Sequence, residues 1–304
     1  MRVAVIGAGG VGGYYGGLLA RAGNPVGVLA RGEHLRAIES RGLEIREPGE
    51  SFIANIRASD RVEDLLPSDL ALVTVKSYSV PDVAPAVRRL AEEGAVVLPL
   101  LNGVEACESL AQRGVPEKQI LAGLTVISAA RIAPGVIERK SDFRSIVMGE
   151  RQGGASDRAE RIAAVFRDAG VDARVSTEID VDLWRKFLFI ASIAGACGLA
   201  RAPVGAVQRA PLGKLLLERA VAEIAAVARA RGIPLPLGEE ERTVERILAL
   251  APGLKPSFLL DLERGGPNEL DILSGAVSRL GRERGVPTPV HDTAVAALSA
   301  AASR

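Results

Sequence analysis

The sequence predicts an α/β domain with a mostly parallel sheet, followed by an all-helical domain. Two observations predict this fold class. The first half of the chain alternates short apolar runs with helical patterns, whereas the second half shows only the helical spacing of apolar residues. A length of 304 residues agrees with this division, because it is typical of about two domains.

Four apolar runs in the first half have the length and composition of strands buried on both faces. They cover residues 2–6, 25–29, 69–75 and 95–101, and a helix-compatible segment follows each. This alternation predicts a parallel sheet. The helical patterns stop between 119 and 149, where strands are predicted at 121–128, 135–139 and 145–149, so we expect the sheet to gain antiparallel members. A helix at 155–169 and a strand at 171–175 complete this half.

The second half repeats apolar side chains at intervals of three and four residues. Helices are therefore predicted at 182–199, 211–231, 239–250, 268–284 and 289–301. The predicted domains are residues 1–176 and 177–304, with the boundary near Ser176.

Composition excludes several classes of function. The 38 basic and 37 acidic residues leave a formal charge of +1, which creates no general field for nucleic acid or anionic membranes. Aromatic residues are only 3% of the chain, too few for a base-stacking surface. Cys107, Cys197, His34 and His291 lack metal-ligand spacing. We therefore expect a reducing, cytoplasmic location and no structural metal.

Two uncharged stretches could be mistaken for membrane segments. Residues 3–20 resemble a signal peptide, but seven of the eighteen are glycine, which is a poor helix former. Residues 187–200 number fourteen, fewer than the ~20 that span a bilayer. The second stretch is interpreted as a buried helix.

The motif Gly7-Ala-Gly9-Gly-Val-Gly12 lies directly between the first predicted strand and the first predicted helix. In this context a G-x-G-x-x-G motif indicates a Rossmann-type dinucleotide site. Gly7 provides a tight turn, Gly9 allows the backbone to approach the pyrophosphate, and Gly12 allows close packing of helix on strand. A purely structural glycine turn explains this context less well.

Arg31 follows the second predicted strand. A site for NAD usually carries Asp or Glu at this place, whereas Arg accommodates the 2′-phosphate of NADP. Arg31 therefore favours NADP. The alternative is an ordinary surface arginine, since the chain contains 32 arginines and 6 lysines.

Lys76 and Asn102 follow the next two predicted strands. The carboxyl edge of such a sheet holds ligands, so both are candidate site residues. Lys76 could instead stabilise a turn. Asn102 could instead cap a helix, a role compatible with ligand binding.

Lys186 lies in a helical segment that is apolar on nearly all sides. A buried ammonium is costly unless it is paired, and its pKa responds to its neighbours, so Lys186 is a candidate functional residue. The alternative is a lysine that extends from the helix into solvent. Four carboxylates could be its partner, and spacing does not choose among Asp261, Glu263, Glu269 and Asp271. Glu269 could instead complement the dipole of a helix beginning near Asn268.

Taken in order, these motifs resemble the ketopantoate reductase (2-dehydropantoate 2-reductase) family over nearly the whole chain. The resemblance is carried by the segments Gly7–Gly12, Leu-Ala-Arg31, Val-Lys76, Leu-Asn-Gly103, Gly123-Leu-Thr with Pro134-Gly135, Leu-Trp-Arg-Lys186, Ser257 with Asp261, and Glu269-Leu-Asp271. It implies an NADP-binding Rossmann domain, a helical domain, and a substrate cleft between them.

The resemblance also implies roles for individual residues. Gly7, Gly9 and Gly12 would hold the pyrophosphate and Arg31 the 2′-phosphate, and Lys76 and Asn102 would line the cofactor and substrate side of the cleft. Lys186 would be the catalytic lysine and Glu269 its essential partner. Ser257 would bind the substrate through the substrate's carboxylate group.

The implied reaction is hydride delivery from NADPH to the carbonyl carbon of a 2-oxo acid, with Lys186 as the general acid. Two family asparagines on the helix of Lys186 are replaced by Ile190 and Ala194, so the resemblance does not fix which 2-oxo acid is the substrate. A paralogous dehydrogenase and a regulatory protein without catalysis are the alternatives. No nucleic-acid or membrane partner is expected, and a homodimer is compatible with the sequence.

Overall fold

The computed structural model describes residues 1–302, which divide into two compact units. The first, here the N-terminal unit, comprises Met1–Leu101 and Ala106–Ile179. The second, here the helical unit, comprises Asn102–Glu105 and the chain from Asp180 onward. A short segment of the first half of the sequence, which includes Asn102, thus packs with the second unit.

The structure places strands and helices in the following order. The strands are β1 (Val3–Ile6), β2 (Val26–Leu29), β3 (Leu43–Glu47), β4 (Glu50–Ala54), β5 (Arg57–Ser59), β6 (Leu70–Val73), β7 (Val96–Pro99), β8 (Ala122–Val126), β9 (Ala129–Ala133), β10 (Val136–Arg139), β11 (Ser145–Gly149) and β12 (Asp172–Val175). The helices are α1 (Gly10–Arg21), α2 (Gly32–Arg41), α3 (Val80–Glu92), α4 (Ala106–Ala111), α5 (Asp157–Asp168), α6 (Ile179–Ala200), α7 (Val204–Arg209), α8 (Gly213–Ala230), α9 (Glu239–Leu248), α10 (Ser257–Arg264), α11 (Ser274–Arg284) and α12 (Pro289–Ala302).

The main sheet of the N-terminal unit is parallel, with the strand order β5-β2-β1-β6-β7. Val3 of the central strand lies opposite Val26 and Leu70. Both β1 and β6 are buried along their whole length, as expected for strands covered on both faces. The four strands predicted from apolar runs are all present, and their parallel arrangement is confirmed.

A second group of strands continues this sheet. β8 runs antiparallel to β11, and β11 runs parallel to β12. A parallel bridge between Val97 and Ile120 connects this group to β7. The bridge makes β8 parallel to β7, so β11, which is antiparallel to β8, confirms the expected antiparallel addition, whereas β8 does not.

The remaining strands form a separate sheet that the sequence did not predict. Its order is β4-β3-β10-β9, and it packs on α1. β3 and β4 come after α2, where a simple strand–helix alternation had been expected. The predicted strand at 135–139 exists as β10, but it belongs to this sheet and not to the main one, which corrects the expectation.

Glycines on two faces of α1 allow it to lie between the two sheets. Toward the main sheet, a Cβ at Gly12 would lie 2.9 Å from Cγ1 of Val5. Toward the second sheet, a Cβ at Gly10 would overlap the carbonyl group of Ala129, and a Cβ at Gly17 would lie 2.6 Å from Cγ1 of Ile45. Larger side chains on either face would push the helix away from a sheet.

α6 forms the centre of the helical unit. Its apolar residues, among them Phe187, Leu188 and Ala191, pack against α8, α11 and other helices of this unit. By length and composition alone, α6 is also the one helix within residues 1–302 that could cross a membrane, but 67% of its most apolar window is buried inside the protein. The expected buried helix at 187–200 is confirmed.

One helix prediction is wrong at its start. A helix was expected over 268–284, but α11 begins at Ser274, and residues 269–273 form a bend followed by turns. Oδ1 of Asn268 accepts a hydrogen bond from the backbone N–H of Leu270 (3.1 Å), which favours a turn at this place. Glu269 therefore lies in a turn and not in the first turn of a helix. α7 and α10 had not been predicted.

The cysteine and histidine side chains lie in the interior of the protein. The thiols of Cys107 and Cys197 are buried. His291 is buried, with Nδ1 3.2 Å from Oγ of Ser274. Within residues 1–302, no three His, Cys, Asp or Glu side chains come together as possible ligands of a metal ion.

Candidate active site

The glycine loop has the geometry that the sequence predicts. Gly7 has a φ of +107°, a conformation that disfavours any side chain, and a Cβ there would lie 2.7 Å from the backbone N of Val75. Gly9 ends the loop where α1 begins, and a Cβ at Gly9 would have no atom within 4 Å. The open space at Gly9, in front of a helix N-terminus, fits the pyrophosphate of a dinucleotide.

Alanine substitutions at the two neighbouring glycines Gly9 and Gly10 should have different effects on stability. Gly10→Ala is expected to lower the free energy of unfolding by about 1–3 kcal/mol, because the new methyl group overlaps the backbone of β9 at Ala129. Gly9→Ala is the matched control, and its stability should be unchanged or slightly higher. Denaturant unfolding measures both. Equal stability of the two variants would contradict the close packing of β9 on α1.

Arg31 lies at the carboxyl edge of the main sheet. It is exposed, two residues after the end of β2, and it precedes the first residue of α2. Lys76 is partly buried and comes three residues after the end of β6, where its carbonyl accepts a hydrogen bond from Ser79 N–H (2.9 Å). Because β1, β2 and β6 are parallel neighbours, the glycine loop, Arg31 and Lys76 all lie at the same edge.

A cavity of about 470 Å³ opens beside Arg31 within the N-terminal unit. Its walls come from the start of α2 and from β9 with the turn that follows it. The lining residues are Arg31, Glu33, His34, Arg131, Ile132, Ala133 and Pro134. Of these residues, only Arg31 had been predicted to bind a ligand, since nothing in the local sequence pattern indicated that β9 lies beside the end of β2.

In the helical unit, Asn102 joins Lys186 to Glu269. Nζ of Lys186 donates a hydrogen bond to Oδ1 of Asn102 (3.1 Å), and Nδ2 of Asn102 donates to Oε2 of Glu269 (3.3 Å). Glu269 is 4% exposed, and Lys186 and Asn102 are partly buried. Three residues that are far apart in the sequence thus form one polar cluster, here the Lys186 cluster.

The surroundings of Lys186 change its acidity. Burial lowers the pKa of its ammonium from 10.5 to about 8, and the negative charge of Glu269 acts in the opposite direction. A pKa near 8 allows the ammonium to give up a proton at physiological pH. The Lys186 cluster can therefore donate a proton to an oxygen atom that gains negative charge.

The structure chooses among the four carboxylates that the sequence left open. Glu269 is the one whose charge acts on Lys186 and whose oxygen accepts from Asn102. Glu263 instead pairs with Lys255 on the surface (2.7 Å). Asp261 contacts Arg264 (3.4 Å), and Asp271 acts electrostatically on Arg279.

Ser257 is not part of the hydrogen-bonded cluster. It is the exposed first residue of α10, and within residues 1–302 no hydrogen bond joins it to Lys186 or Asn102. Ile190, one turn after Lys186 on α6, is partly buried, whereas Ala194 is 2% exposed and belongs to the core of the helical unit.

A salt bridge that the sequence did not indicate anchors the segment carrying Asn102. Arg279 of α11 contacts Glu105 through two hydrogen bonds, of 2.7 and 2.9 Å. Gly103, with a φ of +90°, packs within the same segment, where a Cβ would lie 3.3 Å from the carbonyl oxygen of Ile272. These contacts hold Asn102 in the helical unit, beside the turn of Glu269.

Comparisons with known proteins agree with the resemblance seen in the motifs. A family model described as "Ketopantoate reductase PanE/ApbA" matches residues 3–153, and "Ketopantoate reductase PanE/ApbA C terminal" matches residues 178–302. The 2-dehydropantoate 2-reductase of Halobacterium salinarum is 32% identical over 96% of each chain. The uncharacterized oxidoreductase YkpB of Bacillus subtilis is 30% identical over 98% of each chain.

A solved structure shows the same fold. The PanE/ApbA family ketopantoate reductase from Ralstonia eutropha JMP134 superposes with a TM-score of 0.91 at 30% identity, covering 100% of this chain and 99% of that one. The predicted fold class, a Rossmann-like domain followed by a helical domain, is confirmed. On these matches, the chain belongs to the ketopantoate reductase PanE/ApbA family of oxidoreductases.

Proposed function

We propose that this protein reduces the carbonyl group of a 2-oxo acid to a hydroxyl group with NADPH. The observation that carries the proposal is the Lys186 cluster, in which a partly buried ammonium of lowered pKa contacts an amide that is itself held by a buried carboxylate. An unused charged pair of this kind is costly to keep, which argues against a protein that has lost catalysis.

In this proposal, Lys186 is the general acid. The positive charge of its ammonium first stabilises the negative charge that develops on the carbonyl oxygen, and Nζ then donates a proton to that oxygen and becomes a neutral amine. Asn102 fixes the direction of Nζ through its Oδ1. Glu269 fixes the amide through Nδ2 and keeps a negative charge near the ammonium, which opposes early loss of the proton.

The residues of the N-terminal unit fit a nicotinamide dinucleotide. Gly7, Gly9 and Gly12 provide the turn, the open approach and the close helix packing that a pyrophosphate site requires. Arg31 would bind the 2′-phosphate, and Lys76 would lie near the ligand at the same sheet edge. When bound, the cofactor supplies the hydride. Asn102 is a candidate contact of the cofactor or the substrate. Ser257 is a candidate contact of the substrate carboxylate.

The proposed function is tested by a screen of NADPH oxidation over a panel of 2-oxo acids that includes 2-dehydropantoate and 2-oxoisovalerate. We expect turnover of at least one member that requires both the 2-oxo group and the carboxylate. Matched aldehydes and amides that lack one of these groups are the controls. Activity on none of the 2-oxo acids, with NADPH binding intact, would overturn the proposal.

Cofactor preference gives a second test. We expect NADPH to bind at least about tenfold more tightly than NADH, because Arg31 stands where an NAD site carries a carboxylate. Arg31→Ala should remove most of this difference, whereas Arg161→Ala, at an exposed position on α5, should not. Calorimetry measures all four affinities. Equal affinities of the wild-type protein for NADPH and NADH would refute the assignment of NADP.

A further inference from the structure

The cavity beside Arg31 contains a second arginine. Arg131 is an exposed residue of β9, and β9 belongs to the sheet that packs on the outer face of α1. The second sheet therefore brings a guanidinium to the place where β2 ends and α2 begins. A Rossmann sheet without this addition would have only Arg31 there.

Neither guanidinium is used within the protein. Among residues 1–302, no hydrogen bond or ion pair engages the side chain of Arg31 or of Arg131. Other arginines of the same unit are paired, such as Arg57 with Asp64 and Arg158 with Glu150. One carboxylate, Glu33, also lines the cavity, so the formal charges of its walls leave an excess of one positive charge.

His34 holds the two walls of the cavity together. The backbone N–H of Gly135 donates to its Nδ1 (2.9 Å), so the proton of the neutral ring is on Nε2, which donates to the carbonyl of Ala8 (2.7 Å). Burial lowers the pKa of His34, the bond to Ala8 raises it, and the charge of Arg131 lowers it further. A neutral His34 thus connects α2, the glycine loop and the turn after β9.

A second bond fixes the same turn. Nη2 of Arg41, at the end of α2, donates to the carbonyl of Pro134 (2.9 Å). The turn is therefore attached to α2 at two points, and β9 is fixed against the N-terminus of α1 by the close approach of Ala129 to Gly10. Arg131 stands on this fixed strand, so its backbone is already in place and only its side chain has to be ordered when a ligand binds.

We propose that Arg131 and Arg31 together bind the 2′-phosphate of the cofactor, so that the second sheet takes part in selecting NADPH over NADH. The inference rests on the proposed function, because it assumes that the dinucleotide binds at the glycine loop. A phosphate monoester carries nearly two negative charges, and guanidinium groups bind phosphate oxygens with two parallel hydrogen bonds. Two arginines match such a charge better than one, particularly beside Glu33.

Calorimetry with cofactor fragments tests this assignment. We expect Arg131→Ala to weaken the binding of NADPH and of adenosine 2′,5′-bisphosphate by about tenfold, and to leave the binding of NADH and ADP unchanged. Arg161→Ala is the control for loss of one positive charge elsewhere on this unit. Glu33→Gln should strengthen binding of the two 2′-phosphorylated ligands, because it removes a like charge from the cavity.

The possible results separate the inference from the proposed function. An unchanged preference for NADPH in Arg131→Ala would overturn the role of Arg131 and leave the role of Arg31 intact. Equal weakening of NADPH and NADH would assign Arg131 to a part of the cofactor that both share, and would also overturn the inference. A wild-type protein with no preference for NADPH would overturn both proposals. Unchanged binding of NADH shows that the variant is folded.

Discussion

Lys186→Ala is expected to lower turnover by about 100-fold or more and to leave the affinity for NADPH nearly unchanged. The reason is that the substitution removes the proposed proton donor, whereas the residues that fit the dinucleotide belong to the N-terminal unit. Glu269→Ala should act in the same direction, since Asn102 would lose the carboxylate that holds it. Steady-state kinetics and calorimetry measure the two quantities.

The pH profile distinguishes a proton donor from a structural lysine. Reduction requires the protonated form of Lys186, so kcat should be highest well below pH 8 and fall as the pH rises through the pKa of about 8. Glu269→Gln should shift this fall to lower pH, because the carboxylate raises the pKa of the ammonium. A purely structural role would not move the profile.

Lys255→Ala is the matched control for Lys186, the proposed proton donor. Lys255 belongs to the same unit, but it is exposed and pairs with Glu263 at the surface. Its removal should change kcat by less than about twofold, since exposed ion pairs contribute little. If Lys186→Ala kept near-normal turnover on the preferred substrate, Lys186 would be a structural residue and the proposed mechanism would be wrong.

The parallel sheet was predictable because its central strands are buried on both faces. Continuous apolar runs mark such strands, and β1, β2, β6 and β7 were all found in this way. Of the second sheet, only the strand β10 was predicted. Its strands β4 and β9 are largely exposed, so they contain polar residues and lack a continuous apolar run.

The glycines in and directly before α1 have two different structural causes, and the sequence alone shows only one of them. The fingerprint explains Gly7, Gly9 and Gly12. Gly10 and Gly17 are explained only by the second sheet, whose backbone at Ala129 and side chain of Ile45 approach the outer face of the helix. Glycines on the face of α1 that points away from the main sheet therefore mark the place where the second sheet packs on this helix.

The sequence indicated the residues of the Lys186 cluster as candidates, but it did not indicate the hydrogen bonds that join them. The apolar surroundings of Lys186 marked it as unusual, whereas Glu269 was one of four carboxylates within eleven residues. Its assignment depends on a turn at Asn268 that replaces the expected start of a helix, and on the segment of Asn102, which packs with the helical unit. Both are tertiary features without a periodic signal in the sequence.

The substrate is expected to lack the distal hydroxyl group of 2-dehydropantoate. Ile190 follows Lys186 by one turn of α6 and is partly buried, so it places an apolar side chain on the same face of the helix as the ammonium. A hydroxyl group that loses water without finding a partner costs on the order of 1–3 kcal/mol. We therefore expect 2-oxoisovalerate to have the higher kcat/KM.

The size of this preference is limited by the kind of pocket. An apolar wall rejects an added hydroxyl group by roughly 100-fold at most, so 2-dehydropantoate should still be reduced slowly. The comparison of kcat/KM for the two acids with NADPH measures the effect. A clear preference for 2-dehydropantoate in the wild-type protein would show that polar groups elsewhere bind the hydroxyl group.

Ile190→Asn should reverse or reduce the preference, because it restores an amide near Lys186 at a position that is only partly buried. Ala194→Asn is a less informative change, since Ala194 is 2% exposed in the core of the helical unit and an amide there would lower stability before it could bind a ligand. Ile190→Val is the control that keeps the wall apolar, and it should retain the preference for 2-oxoisovalerate. If Ile190→Asn and Ile190→Val gave the same ratio of kcat/KM for the two acids, position 190 would not contact the distal part of the substrate.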